Sequence, residues 1–436
     1  MLRSIFSKER LFYLYVGILI LEGLYYLYPV FYEGIQLSAY KNFSLSDWFI
    51  NYQEGFVRRG ILGEILWYLW NTMHMHVGNV IYFISYSSTI LLIGLFVKKW
   101  RGFNLSLYLL PSVFILGAFL MYPVVAYRRD ALIFLLIYFS FTSYHYFLQE
   151  KRKWLCLFEL ISIFTILSHE ASFFYFIPIL VLHYFLYNRK IGLSFRASSL
   201  KTVLLFFPIG IIFLYTLIYK GDTLIASNIW HSWDSFFLQT YQDLPPIGEG
   251  VEALAWNSVG TFKMHFNANF LTPIFGIPSF LCWIITYSCI FYALMHINRI
   301  KIGIEKRSSV TFSVLLFLQI CVYQFIFLLP MFTILSCDMR RVVMYWTVSS
   351  FLFYFSMGKE GLKCLGYKPC IKVFHNWVRI SSKGWLGTKW CYFLITTCIC
   401  VPFAGFNMID AFLSTVWGNI AITIRYVMFV FSQYVL

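Results

Sequence analysis

Apolar runs close to twenty residues long recur along this chain, separated by shorter stretches that hold most of its Lys, Arg, Asp and Glu. A helix of about 20 apolar residues crosses the roughly 30 Å hydrocarbon core of a bilayer. The pattern therefore predicts membrane-spanning helices at about 11–32, 78–97, 105–125, 131–149, 154–168, 171–187, 202–219, 273–297, 310–335, 342–357 and 390–409. The final stretch, 411–436, reads as a twelfth span or as a helix lying at the interface, because Arg425 sits near its middle. The run after MLRSIFSKER lacks a small-residue cleavage site and is read as a retained span. The expected fold is an all-α, polytopic membrane protein with about 11–12 transmembrane helices. No repeat or linker marks a second domain, so 1–436 is read as a single membrane domain.

Composition narrows the picture. Hydrophobic residues make up 60% of the 436 and charged residues only 12%, which excludes an ordinary soluble domain. The net charge of +15 would suit a nucleic-acid partner, but the cations are distributed otherwise. Of 34 Lys and Arg, 24 fall in the N-terminal segment and the alternate loops on its side, and nine fall on the other. That bias predicts a cytoplasmic N-terminus. The basic inner loops, of which 358–389 is the largest, then face anionic lipid headgroups, and no nucleic acid is expected. Two outer segments are long enough to hold structure. The first, about 33–77, contains ILGEILWYLW, read as an interfacial helix; the second, about 220–272, carries Trp230, Trp233 and Trp256.

Six of the nine outer cations are Arg, in three adjacent pairs, each at an outer corner: Arg58-Arg59, Arg128-Arg129 and Arg340-Arg341. Orientation signals do not distinguish Lys from Arg, but planar, bidentate recognition of phosphate does. The pairs are read as a convergent anion site for a phosphorylated lipid. The competing reading has them snorkelling to headgroups or bridging to Asp130 and Asp338 beside two of the pairs. Proton acceptors lie on the same side: Asp47 and Glu54 after the first span, and His169-Glu170 in LSHEASFF between two others. The His169-Glu170 corner reads equally well as a helix cap with Ser168. The acids of the 220–272 segment read as solvated surface. The ten cysteines show no zinc spacing or disulfide framework, and His74-x-His76 lacks a third ligand, so no metal is expected. There is no P-loop, Rossmann fingerprint or hydrolase serine elbow, hence no expected cofactor.

With these features the chain resembles the bacterial glycan polymerases and transferases that use polyprenyl-linked sugars, the GT-C group, and most closely the O-antigen polymerases. The resemblance lies in size, span number, two larger outer loops, outer arginines, and an acid in the first outer loop, here Asp47 in SDWF. It implies a plasma-membrane (bacterial inner-membrane) enzyme that transfers a growing glycan from undecaprenyl pyrophosphate to a lipid-linked repeat unit on the outer face. Its implied partners are the undecaprenyl-pyrophosphate-linked oligosaccharide, membrane lipids and a chain-length regulator protein. Arg58, Arg59, Arg128, Arg129, Arg340 and Arg341 would hold the pyrophosphate. Asp47, Glu54, His169 or Glu170 would orient or deprotonate the acceptor hydroxyl. Trp230, Trp233 and Trp256 would stack on sugars. The chain departs from the group in lacking the Arg-x10-Gly signature after Arg58, Arg59, Arg128 and Arg340, and the paired acids that hold a divalent cation. Two alternatives share this layout: a GT-C glycosyltransferase using a polyprenyl-phosphate sugar donor, and a lipid-linked oligosaccharide flippase.

Overall fold

A computed structural model describes residues 35–100, 127–149, 151, 153–271, 273–274, 277–278, 309–336 and 339–365. The runs 11–32, 105–125, 390–409 and 411–436, most of 273–297, and the basic loop beyond 365 lie outside the described residues. The described part is helical apart from one minimal ladder. The principal helices are α1 (Gly60–Met73), α2 (Val77–Trp100), α3 (Asp130–Leu148), α4 (Lys153–Ser168), α5 (Ser172–Lys190) and α6 (Phe195–Ile218). After them come α7 (Thr223–His231), α8 (Asp234–Tyr241), α9 (Ser258–Phe266), α10 (Ser309–Phe327) and α11 (Met339–Leu362). Three stretches, Val77–Phe96 of α2, α3 and α6, are long and apolar enough to cross a membrane, which marks the chain as a membrane protein.

Local chemistry explains where the boundaries differ from the apolar runs. Helix α6 starts at Phe195 rather than 202 because the Ser194 side chain accepts a hydrogen bond from the Ala197 N–H and caps the first turn. Helix α11 carries Gly358 at φ 63°, ψ 175°, so its regular winding breaks where the apolar run ends. The run expected from 273 does not open as a helix. Pro273–Ile274 instead pairs with Ile277–Pro278 as two antiparallel strands. The proline at each end supplies no N–H to a helical ladder.

Helix α3 packs against α2, α4 and α11, while α5 packs against α6, α10 and α11. Their shared core is rich in aromatic rings, with Phe134, Phe141, Phe158, Phe176 and Phe353 buried together. One face of α6 stays uncovered, with Val203, Leu204, Phe207 and Leu214 exposed, as befits a helix that meets lipid.

A second core lies at one end of this bundle. The 35–73 and 220–256 segments do not form separate loops but one cap, closed by buried Tyr40, Trp48, Phe49, Trp230, Trp233, Phe236 and Phe237. Polar bonds fix the two halves. The Trp233 Nε1–H donates to the Phe49 carbonyl at 2.8 Å, Asn51 Nδ2 donates to Ser232 Oγ at 2.8 Å, and the Gly250 N–H donates to Ser46 Oγ at 2.8 Å. Trp230 is likewise anchored, through Nε1 to the Pro245 carbonyl. Trp230 and Trp233 are therefore the core of the cap and cannot stack on a sugar, contrary to expectation; Trp256 remains exposed.

The cap tolerates no bulk at Gly63, where a Cβ would lie 1.9 Å from the Ile50 carbonyl oxygen, a backbone atom. In α6, by contrast, a Cβ on Gly210 meets nothing within 4 Å. Gly63→Ala is expected to lose at least about 2 kcal/mol through backbone displacement. Gly210→Ala is expected to be neutral or to gain up to about 1 kcal/mol in helix propensity. Thermal unfolding of the two purified variants in detergent measures the contrast.

Candidate functional site

Four helices begin at the seam between cap and bundle: α1 at Gly60, α3 at Asp130, α5 at Ser172 and α11 at Met339; α4 ends there at Ser168. None of α1, α3 and α5 has a side-chain cap; their N-cap residues are Arg59, Arg129 and Ala171. The positive ends of their dipoles thus lie at the seam, while the first N–H groups of α5 already donate to the His169, Glu170 and Ala171 carbonyls. Such a convergence favours negative charge.

The acids placed there are held by arginines from different elements. Arg59 grips Glu170 in a fork, Nε to Oε2 and Nη2 to Oε1, each at 2.6 Å. Arg58 Nη1 stands 3.6 Å from the same carboxylate and its Nη2 donates to the Ala253 carbonyl at 3.0 Å. Asp47, in the cap, lies between Arg59 at 3.5 Å and Arg129 at 3.3 Å. Arg129 Nη1 donates to the Ser168 and Arg59 carbonyls at 2.9 and 3.2 Å, and its guanidinium stacks over Trp48. Arg341 Nη2 donates to Asp130 Oδ1 at 3.1 Å, an oxygen that also accepts from the Tyr345 hydroxyl. Arg128 Nε donates to Ser44 Oγ at 3.0 Å.

Burial and these pairs set the protonation states. Burial alone would raise the Glu170 carboxyl, but Arg59 and then Arg58 hold it well below the usual carboxylate range. Burial works against the Arg59 charge, and Glu170 and Asp47 reverse that effect and raise its pKa. For Arg58 and Arg129 burial prevails and lowers the pKa, although a guanidinium remains charged. Arg59 also sits in the left-handed region at φ 66°, ψ 5°, a conformation that costs a non-glycine residue about 1–3 kcal/mol. Its two carboxylate partners keep it there.

Around the arginines lie buried polar atoms with no hydrogen-bond partner: Asp47 Oδ1, Arg58 Nε, Arg129 Nε and Nη2, Asp130 Oδ2 and His169 Nδ1. The hydroxyls of Tyr52 and Tyr175, which interact electrostatically with Arg129 and Arg341 respectively, are also without one. Native interiors leave few such atoms, each of which costs about 1–3 kcal/mol. Other such atoms lie elsewhere, at Asn188, Gln319 and Gln324 among others, but those at the seam belong mostly to charged side chains, which makes it a candidate receptor for something polar.

Of the residues singled out in the sequence, Asp47, His169, Glu170, Arg58, Arg59, Arg128, Arg129 and Arg341 gather at this seam. The Arg340 side chain and Asp338 lie outside the described residues. Glu54 does not join the cluster: it is exposed, on the cap surface, and accepts from Asn228 at 3.2 Å. The sequence placed it near Asp47 by spacing alone, and the turn at Gly55 carries it outward. Asp130 pairs not with the arginine beside it but with Arg341 from another corner. Tyr52, Tyr175, Tyr345 and Ser44 were not singled out; a buried tyrosine carries no signal among 32 tyrosines in an apolar chain.

A scan against protein-family models finds no match to this chain, and searches of curated proteins and of solved structures find none.

The fork between Arg59 and Glu170 makes acid sensitivity predictable. A carboxylate with a depressed pKa stabilises the fold above its unfolded value of about 4.3, and that contribution disappears as pH falls through the folded value. Wild-type protein should thus lose thermal stability on acidification below about pH 4, and Glu170→Gln should lack that part of the decline. At neutral pH the same variant leaves Arg59 short of a partner and should cost about 3 kcal/mol. Melting curves of both proteins across pH measure both effects.

Proposed function

We propose that the chain is a glycosyltransferase of surface-polysaccharide synthesis, acting as a polymerase at the outer face of the bacterial plasma membrane. On this reading a polyprenyl-pyrophosphate-linked glycan is the donor and a lipid-linked repeat unit the acceptor. The observation that carries the reading is the seam cluster. Five arginines from three parts of the chain meet three carboxylates, beside helix N-termini and buried polar atoms without hydrogen-bond partners. Among the described residues of the seam, arginines outnumber carboxylates. A buried excess of positive charge calls for a polyanion, and a lipid-borne diphosphate supplies one at the end of a membrane bundle.

In the reaction the acceptor hydroxyl attacks the anomeric carbon of the donor sugar. The bond from that carbon to the diphosphate oxygen breaks, the electron pair leaves with the diphosphate, and the hydroxyl proton passes to a base. Arg58, Arg59, Arg128, Arg129 and Arg341 bind the diphosphate and stabilise the charge it gains on leaving. Asp47, Glu170 and Asp130 hold those guanidiniums in position beforehand, so little reorganisation remains at the moment of reaction. The carboxylates of Asp47 and Glu170 are engaged by arginine in this arrangement, which favours holding the arginines over abstracting a proton.

The charges sit together at one end of the helices instead of along their length, as a one-sided enzyme requires and a flippase does not. With 24 of the 34 cations in the segments of the opposite side, the cluster faces away from the cytoplasm.

Two measurements test the proposal. Deleting the gene should leave the surface glycan capped at a single repeat unit on gels. Long chains missing one sugar would indicate a single-sugar transferase, and absence of surface glycan with lipid-linked units accumulating inside would indicate a flippase. In the complemented strain, Arg59→Lys, Arg129→Lys or Arg341→Lys should shorten the glycan ladder at unchanged membrane protein level, with activity down at least about tenfold, because lysine keeps the charge but loses the fork. Full-length ladders from all three would refute a guanidinium clamp.

A further inference from the structure

Tyr345, buried in α11, touches both members of one ion pair at once. Its hydroxyl donates to Asp130 Oδ1, the same oxygen that accepts from Arg341 Nη2 at 3.1 Å. Its ring lies under the Arg341 guanidinium, 5.3 Å from centroid to the guanidinium carbon, a cation–π contact. Three further helices fix it in that pose. The ring stacks on Tyr175 of α5 with centroids 4.2 Å apart, and packs on Phe134 of α3 at 5.6 Å. Gln324 of α10 in turn donates to the Tyr175 carbonyl at 2.8 Å. The direction of this one hydroxyl is thus set by the core and not by its own chain alone.

The ion pair is lopsided. The Asp130 side chain is 2% exposed and the Arg341 side chain 24%, so a ligand entering the seam meets the guanidinium first. The Arg341 charge acts on Arg59 and His169 as well as on Asp130, which places it within the cluster. A fork to phosphate drawn from Nη2 competes with the bond that Nη2 makes to Asp130. Asp130 Oδ2 is buried and has no hydrogen-bond partner, so Oδ1 carries all the donors this carboxylate has among the described residues. A buried carboxylate stripped of its donors is costly and would hold the guanidinium back. We infer that Tyr345 is a positioning residue of the receptor: its hydroxyl stays on Asp130 while Arg341 turns to a lipid-borne phosphate, and its ring supports the guanidinium through that turn. The inference rests on the lipid-phosphate reading proposed above and adds how the receptor opens one of its own ion pairs. Without the hydroxyl, Arg341 becomes the sole donor to Asp130 and is withheld from the ligand.

Full-length protein purified in detergent is titrated with farnesyl diphosphate, and dissociation constants are compared in a double-mutant cycle. Tyr345→Phe keeps the ring contacts and removes the hydroxyl alone. It should weaken binding at least tenfold, about 1.4 kcal/mol. In an Asp130→Asn background no carboxylate competes for Arg341, and the same substitution should change binding by less than about twofold. A hydroxyl that merely steadied the fold would cost the same in both backgrounds. Binding by Tyr345→Phe within about twofold of wild type overturns the inference, and that comparison needs no second substitution. An equal loss in the two backgrounds overturns it too. Failure of wild type to bind farnesyl diphosphate instead overturns the reading on which the inference rests.

Discussion

The forked pair between Arg59 and Glu170 is the contact on which the organisation of this protein depends. It ties the cap to the bundle at the start of α1, where the backbone is left-handed, and at the turn before α5. Removing either partner would leave an uncompensated charge in a buried seam, which is far costlier than losing an exposed pair. Because Arg59 also faces Asp47, and Asp47 faces Arg129, the pair is one link in a chain of alternating charges. That chain orders three segments distant in sequence without an apolar contact among the charged groups.

The two cores on either side of the seam explain why it is there. The bundle core is mainly apolar, with His183 and Gln324 buried in it as hydrogen-bonded polar groups, and the cap core is an aromatic cluster closed by tryptophan N–H bonds to backbone carbonyls. Neither leaves room for charge. The junction is where helices begin and end, so backbone N–H and carbonyl groups are available to partner polar side chains, as the Ser168 and Arg59 carbonyls do for Arg129. Poor solvent screening there strengthens each electrostatic contact and makes each unpaired atom expensive.

Much of this was legible in the sequence, for reasons that also define the limit. The apolar run 131–149 became α3 at Asp130–Leu148 because hydrophobic length and helix length are set by the same spacing. The arginine corners were legible because charge beside an apolar run is costly and therefore informative. Partner choice was not. Asp130 lies next to Arg129 in sequence but bonds Arg341, 211 residues away. Likewise Trp230 and Trp233 look like surface aromatics in a polar loop, and only the approach of the 35–59 segment buries them. Pairings of this kind are decided by tertiary packing and leave no local trace.

The distance along the chain between the halves of the cap has a consequence for biogenesis. Tyr40 and Tyr241 share a hydrogen bond across 201 residues, and the Gly250 N–H reaches Ser46 across 204. During synthesis the first half must wait, its aromatic face unpaired, while all of α2 to α6 is made. Closure of loops this long is slow, and chains awaiting such contacts are exposed to misassembly. Asp47 therefore reaches its final surroundings only after the last cap segment has docked, so the charged seam matures late. A truncated or stalled chain would carry the arginines without the geometry that makes them a receptor, and would present quality-control proteases with exposed Trp48 and Phe49 instead.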